Sequence, residues 1–326
     1  MEVQQAEKRR EKMMLSIGVQ TKNVIEDACP EKGFEILRQA GFSCVDFSLN
    51  DYLRNTDLYK QNRNTFFDKS AAELQDYFAP HKEAAKAAGI TIHQVHMPYP
   101  IYVPAGEKEL NDYLWNEMAP KSLQICSFLE CKYIVIHGFK LAKYLGSEEK
   151  EWEQTENFIH SIAPIAKELG IVICMENLYD GIGGHLIEGP GCNAGKAVER
   201  IDRINDQYRT EVLGFCFDTG HANLVGMNME SFLTTLGHRL KVLHIHDNDG
   251  VRDLHQIPFT FSRSRENKSS TDWDGFIRGL RKIDFDKVLS FETAPALTAF
   301  PEAMKADALE FIARIGMYFA GQLGSL

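Results

Sequence analysis

The chain has 326 residues, 44% of them apolar and 25% charged, with a formal net charge of −10. That length suits two medium domains or one closed α/β barrel of about 250 residues with insertions. The acidic balance argues against a nucleic-acid substrate, because phosphate binding is normally carried by basic surface. Seven scattered cysteines (Cys29, Cys44, Cys126, Cys131, Cys174, Cys192 and Cys216) form no Cys-x-x-Cys pair. Their pattern weighs against a disulfide framework or a zinc–thiolate site and points to a reducing, cytoplasmic setting. No apolar run approaches the length of a membrane span, so no membrane partner is expected.

Residues 1–13 read as a polar leader and 14–326 as one domain. Leu15–Gln20 has the pattern of a first strand, Glu31–Ala40 that of a helix stopped by Gly41, and Cys44–Leu49 that of a second strand. Ser70–Ala88, closed by Gly89, has helical spacing and leads to strand Ile90–His96, which ends against two prolines. A long helix is predicted over Glu107–Glu130, then strand Tyr133–Gly138, helix Glu149–Leu169 and strand Ile171–Asn177. The glycine-rich stretch Leu178–Gly195 reads as a flexible active-site cover, without the spacing of a phosphate cradle. Helix Asn193–Asn205, strand Leu213–Asp218, helix Met229–Leu240, strand Val242–Asp247, helix Trp273–Ile283, strand Lys287–Glu292 and helix Glu302–Phe319 complete the chain. Eight strands alternating with helices, with no linker-like break, predict a single-domain (β/α)8 TIM barrel.

Chemistry in such a barrel sits at the C-terminal ends of its strands. Those ends carry His96, His137, Glu176, Asp218, His244 and Glu292. Two residues back on each strand lie Gln94, Val135, Cys174, Cys216, Val242 and Ser290, mostly small or apolar, as a filled interior requires. In Val242–Asp247 the two-residue period puts His244 and His246 on one face and Leu243 and Ile245 on the other. One such glutamate or histidine would usually be a loop anchor or a packed ring. Carboxylates converging from several strands repel one another unless a cation sits among them. Oxygen and imidazole donors without thiolate suit Mn²⁺, Mg²⁺, Co²⁺ or Zn²⁺.

The pieces His96-Met-Pro-Tyr99, Val135-Ile-His-Gly138, Met175-Glu-Asn177, Phe217-Asp-Thr-Gly-His-Ala-Asn223, His244-Ile-His-Asp247, Asp253-Leu-His255 and Phe291-Glu-Thr293 together resemble the xylose isomerase-like barrel superfamily. It holds sugar isomerases and epimerases and a three-zinc apurinic-site endonuclease. The resemblance implies one divalent metal, Mn²⁺ foremost, held by Glu176, Asp218, His244 and Glu292. His244 is taken over His246 because it stands three residues before Asp247, as in the family pattern. The endonuclease pattern is also matched, through His96, His137, Glu176, Asp218, His221, His244, Asp253, His255 and Glu292.

The resemblance further implies an isomerase or epimerase of a carbohydrate, working by proton abstraction beside a carbonyl to give an enediolate. Glu176 and Glu292 are the expected proton carriers, with His137 and His246 as further catalytic groups. His96, His221, Asp253, His255 and Lys140 would contact substrate, and His246 would line the pocket. A second expectation is the catalytic subunit of a C-glycoside deglycosidase, a carbon–carbon lyase working with a small partner subunit. There His137 or His246 would be the base, and Pro258–Arg265 could touch the aglycone or the partner. The family also often forms homo-oligomers.

Overall fold

The computed structural model describes residues 15–141, 147–263 and 268–324; the leader lies outside them. Each predicted strand segment forms a strand: β1 Ile17–Gln20, β2 Cys44–Ser48, β3 Thr91–His96, β4 Tyr133–Ile136, β5 Val172–Glu176, β6 Leu213–Asp218, β7 Leu240–His244 and β8 Leu289–Phe291. They pair in parallel in the order β8-β1-β2-β3-β4-β5-β6-β7. A parallel bridge from Ile245 to Phe291 joins the two ends, with Ile245 N–H donating to Ser290 O at 2.9 Å. The sheet thus closes as an eight-stranded barrel ringed by helices. Strands covered on both faces need near-continuous apolar sequence, and seven of the eight are buried along their whole length.

The inside of the barrel is filled by Tyr133, Val135, Val172, Cys174, Cys216 and Val242, separate from the larger core between strands and helices. The layer expected below the strand ends, from Gln94 to Ser290, is buried throughout. Each large apolar side chain buried in this way contributes about 1.5–3 kcal/mol, so the rim stands on a rigid floor. Around it, helix Ala71–Ala88 starts at a reciprocal Ser70–Glu73 capping box, which satisfies two otherwise orphaned backbone donors.

Two segments differ from the sequence expectation. The long helix over 107–130 is broken into Lys108–Tyr113, a wide π turn Leu114–Met118, and Ala119–Phe128. Pro120 has no N–H to return to the preceding turn, so the backbone widens just before it. The stretch 178–195 is built rather than open: Tyr179–Ile182 pairs antiparallel with His185–Glu188. Gly183 and Gly184, both at positive φ, form its two-residue turn, a backbone state that glycine enters at no steric cost. In the segment 258–265, the half-exposed Phe259 packs on Trp273 and Phe319 of the outer helices; residues 264 and 265 lie outside the described residues.

Candidate active site and metal centre

Because successive strand residues alternate faces, the last inward residue of each strand projects over the filled interior at the C-terminal rim. Four of these meet: one ligand atom each from Glu176, Asp218, His244 and Glu292 lies within 4.8 Å of the others. His244 Nδ1 is 3.2 Å from Glu176 Oε1, 3.4 Å from Glu292 Oε2 and 4.0 Å from Asp218 Oδ2. Two further groups adjoin this one, His96 with His137 and Glu176, and His221 with His246, Asp253 and His255. Every site residue expected from the sequence is therefore at the same end of the barrel.

The supports are local. Asp218 ends β6 and caps the short helix Thr219–Leu224, accepting from His221 N–H at 2.6 Å. Asn177 holds Asp218 from the neighbouring strand, accepting from its N–H at 2.8 Å and donating to its carbonyl at 2.9 Å. Gln20 on β1 donates to Glu292 Oε1 at 2.7 Å. Asp46 on β2 lies 3.1 Å from His244 Nε2. Neither Gln20, Asp46 nor Asn177 was assigned a role from the sequence. The available signal was an aspartate inside the buried run Cys44–Ser48, since ionised residues are almost never fully buried unless paired.

Glu176 is surrounded by imidazoles. His137 Nε2 is 3.2 Å from its Oε2, and His221 Nδ1 is 3.2 Å from its Oε1. Burial pushes the Glu176 carboxyl up, but His244 and His137 outweigh it and hold the group well below the carboxylate range. Burial lowers His137 to about 4, leaving its ring neutral at physiological pH. His255 moves the other way, to about 9: burial lowers it, and Glu292 and Asp253 more than compensate. In this arrangement imidazolium protons neutralise the carboxylates, a task that a cation performs equally well. Glu176 Oε2, both ring nitrogens of His244, His246 Nδ1 and Asp253 Oδ1 are buried without a hydrogen-bond partner. Orphaned atoms of this kind are costly, and oxygen and imidazole donors are what a hard or borderline divalent ion takes up. The residues fit such an ion.

Above this floor opens a cavity of about 340 Å³, lined by His96, His137, Glu176, His221, Asp253, His255 and Glu292 at its base, with Tyr59, Tyr99, Tyr102 and Tyr179 as walls. Lys140 also lines it, its ammonium 4.9 Å over the Tyr179 ring, and among the described residues is the only lysine or arginine to do so. Tyr99 stacks on His137 with ring centroids 4.1 Å apart. His246 is placed differently from the pocket-lining position expected. Its ring is fully buried beneath the cavity, donor or acceptor to Asp218 Oδ2 at 2.9 Å and stacked on His255 at 3.9 Å.

A model of the xylose isomerase-like TIM barrel family matches residues 34–315. Over 227 residues the chain is 24% identical to an inosose isomerase of Bacillus velezensis, covering 69% of this chain and 72% of that protein. A probable endonuclease 4 of Mycoplasmopsis pulmonis is 25% identical over 50% of this chain and 56% of its own length. A stretch of 101 residues is 32% identical to the uncharacterized protein y4fM of Sinorhizobium fredii, and spans 30% of that relative. Among solved structures, D-psicose 3-epimerase in the presence of D-fructose superposes with a TM-score of 0.65 at 16% identity, covering 95% of this chain and 100% of that one. The IOLI protein with a bound zinc atom superposes at 0.60 and 16% identity, over 96% and 100%. At these identities the superpositions establish a shared fold. Among the described residues no helix is long and apolar enough to cross a membrane.

Proposed function

The chain belongs to the xylose isomerase-like TIM barrel family, and on that premise we propose that it is a divalent-metal-dependent isomerase or epimerase of a carbohydrate or related polyol. The observation that carries this reading is the convergence of Glu176, Asp218, His244 and Glu292 under a cavity of sugar-sized dimensions and polar floor. An ion held by those four would supply positive charge beside a substrate carbonyl, which lowers the acidity barrier of the neighbouring C–H bond. Mn²⁺ is the first choice, with Mg²⁺, Co²⁺ and Zn²⁺ matching the same donors.

The remaining work falls to the chain. Glu176 and Glu292 both reach the cavity floor and are both held deprotonated, Glu292 at about 2 because His244 and His255 outweigh its burial. One carboxylate removes a proton from substrate carbon and passes it on to solvent, and the other, after taking a proton from solvent, delivers it to that carbon, as general bases and acids do within hydrogen-bond reach. Neutral His137 can relay a proton between substrate hydroxyl and Glu176. His221, Asp253 and His255 offer hydrogen bonds to substrate oxygens, His96 completes the floor, and Lys140 and Tyr179 contact its outer end. His246 holds Asp218 in place instead of meeting substrate.

The test is incubation with inosose and a panel of ketoses and ketoglycosides in D₂O. Deuterium enters substrate carbon in the native chain, and Glu176→Gln and Glu292→Gln abolish that entry. Retained exchange in both variants defeats the assignment. An elimination product in the same assay would mark the lyase outcome of the same proton abstraction.

A second reading, a zinc-dependent apurinic-site endonuclease, is favoured by one observation: the two additional ligand groups beside the first. Against it stand the net charge of −10 and the single lysine or arginine that lines the cavity among the described residues, where a duplex demands many. One ion per chain supports the isomerase; three zinc ions with cleavage of abasic DNA would replace it.

A further inference from the structure

We propose that Asp46 is a positioning residue for the metal centre: its carboxylate accepts from Nε2–H of His244, keeps the ring proton on that nitrogen, and so presents Nδ1 as the bare ligand nitrogen. The inference rests on the metal-dependent reading above and concerns a residue of the opposite side of the barrel. His244 is fully buried, and its two nitrogens face different surroundings. Nδ1 points among Glu176, Asp218 and Glu292. Nε2 faces Asp46 Oδ2 at 3.1 Å, its sole carboxylate neighbour among the described residues. A neutral imidazole carries one proton, and the group that accepts it decides which nitrogen is left free. With a carboxylate on Nε2 the free lone pair is on Nδ1, the side where the other three ligands meet.

Two features of the fold support this role for Asp46. The register between β2 and β3 shifts at the step from Val45 to Asp46, so that Val45 pairs with Ile92 but Asp46 with Gln94. Shifts of this kind re-aim a side chain, here into the barrel interior. Asp46 is also completely buried, and neither of its oxygens has a hydrogen bond of good geometry. Its Oδ2 lies 3.1 Å from His244 Nε2, within reach of the ring proton. A buried carboxylate with no lysine or arginine partner among the described residues has a cost, which is offset when it acts through a ligand histidine on a cation.

The measurement is Mn²⁺ titration into the metal-stripped full chain, with free Mn²⁺ read by electron paramagnetic resonance. Asp46→Ala is expected to weaken binding about 10–100-fold. Asp46→Asn keeps an acceptor oxygen of the same shape, and should lose less than the alanine variant. Melting of both variants in the stripped form reports folding independently of the ion. A stripped alanine variant that melts lower yet binds Mn²⁺ within twofold of the native chain overturns the inference, because Asp46 would then only pack. If the native chain takes up no divalent ion, both this inference and the reading beneath it fall; if it binds and both variants bind equally, only this inference does.

Discussion

Gly220 follows Thr219 in the short helix that Asp218 caps, and a single methyl there should disable the site from beneath. A Cβ on Gly220 would stand 1.9 Å from Cε1 and 2.4 Å from Nδ1 of His246. The ring cannot step aside cheaply: it is fully buried, stacked on His255 at 3.9 Å and tied to Asp218 at 2.9 Å. Overpacking of a tight core costs about 1–3 kcal/mol, and losing a hydrogen bond to a charged group costs about 1.5–3 kcal/mol. A total of about 4 kcal/mol, divided by an unfolding entropy of about 2.1 cal/mol/K per residue, lowers Tm by roughly 6 °C. Thermal melts of Gly220→Ala beside native protein, with Mn²⁺ affinity measured in parallel, provide the assay. Gly195→Ala is the control, since its Cβ meets nothing nearer than 3.6 Å. A Gly220→Ala melting point within 1 °C of native, with unchanged affinity, would refute the reasoning.

Two other outcomes are expected. His93, at the opposite end of the barrel, is lowered to about 4 by burial and, secondarily, by Lys287. Its folded pKa lies below the unfolded value, so the unfolded chain binds the extra proton and stability falls as pH drops from about 6.5 toward 4. His93→Gln should therefore recover about 2 kcal/mol relative to native at pH 5 and nothing at pH 7.5, measured by urea unfolding; an equal effect at both pH values contradicts the assignment. Removing the ion with a chelator should lower Tm, since a ligand at 100 times its Kd stabilises by about 2.7 kcal/mol. Re-addition of Mn²⁺ should restore it, and a melt indifferent to both treatments counts against a structural contribution of the ion.

The barrel was readable in the sequence because its strands are short apolar runs between helical patterns, and because polarity begins abruptly where each strand ends. His244 and Glu292 could be placed on that rim from alternation alone. The supporting groups were harder to read. Asp46 and Gln20 come from β2 and β1, which carry none of the quoted motif pieces, and their partners are 198 and 272 positions away along the chain. Such contacts exist only once the sheet has closed. His246 was read as a pocket residue because alternation gives a face but not a depth; the helix Thr219–Leu224 folds over it and covers it. The hairpin at 179–188 was masked by its glycines, although Gly183-Gly184 between two short runs is the signature of a tight two-residue turn.

That hairpin has a stem tied down apart from its tip. Leu178 N–H donates to Pro190 O and Gly189 N–H to Leu178 O, both at 2.8 Å, directly beyond Glu176. Substitutions or insertions at the exposed tip need not disturb that clasp, so the chain can alter what meets the outer end of the cavity while Glu176 keeps its place. The carboxylate and the wall beside it are thus separately anchored at one strand end, so that on the proposed function the wall can change while the carboxylate stays in place.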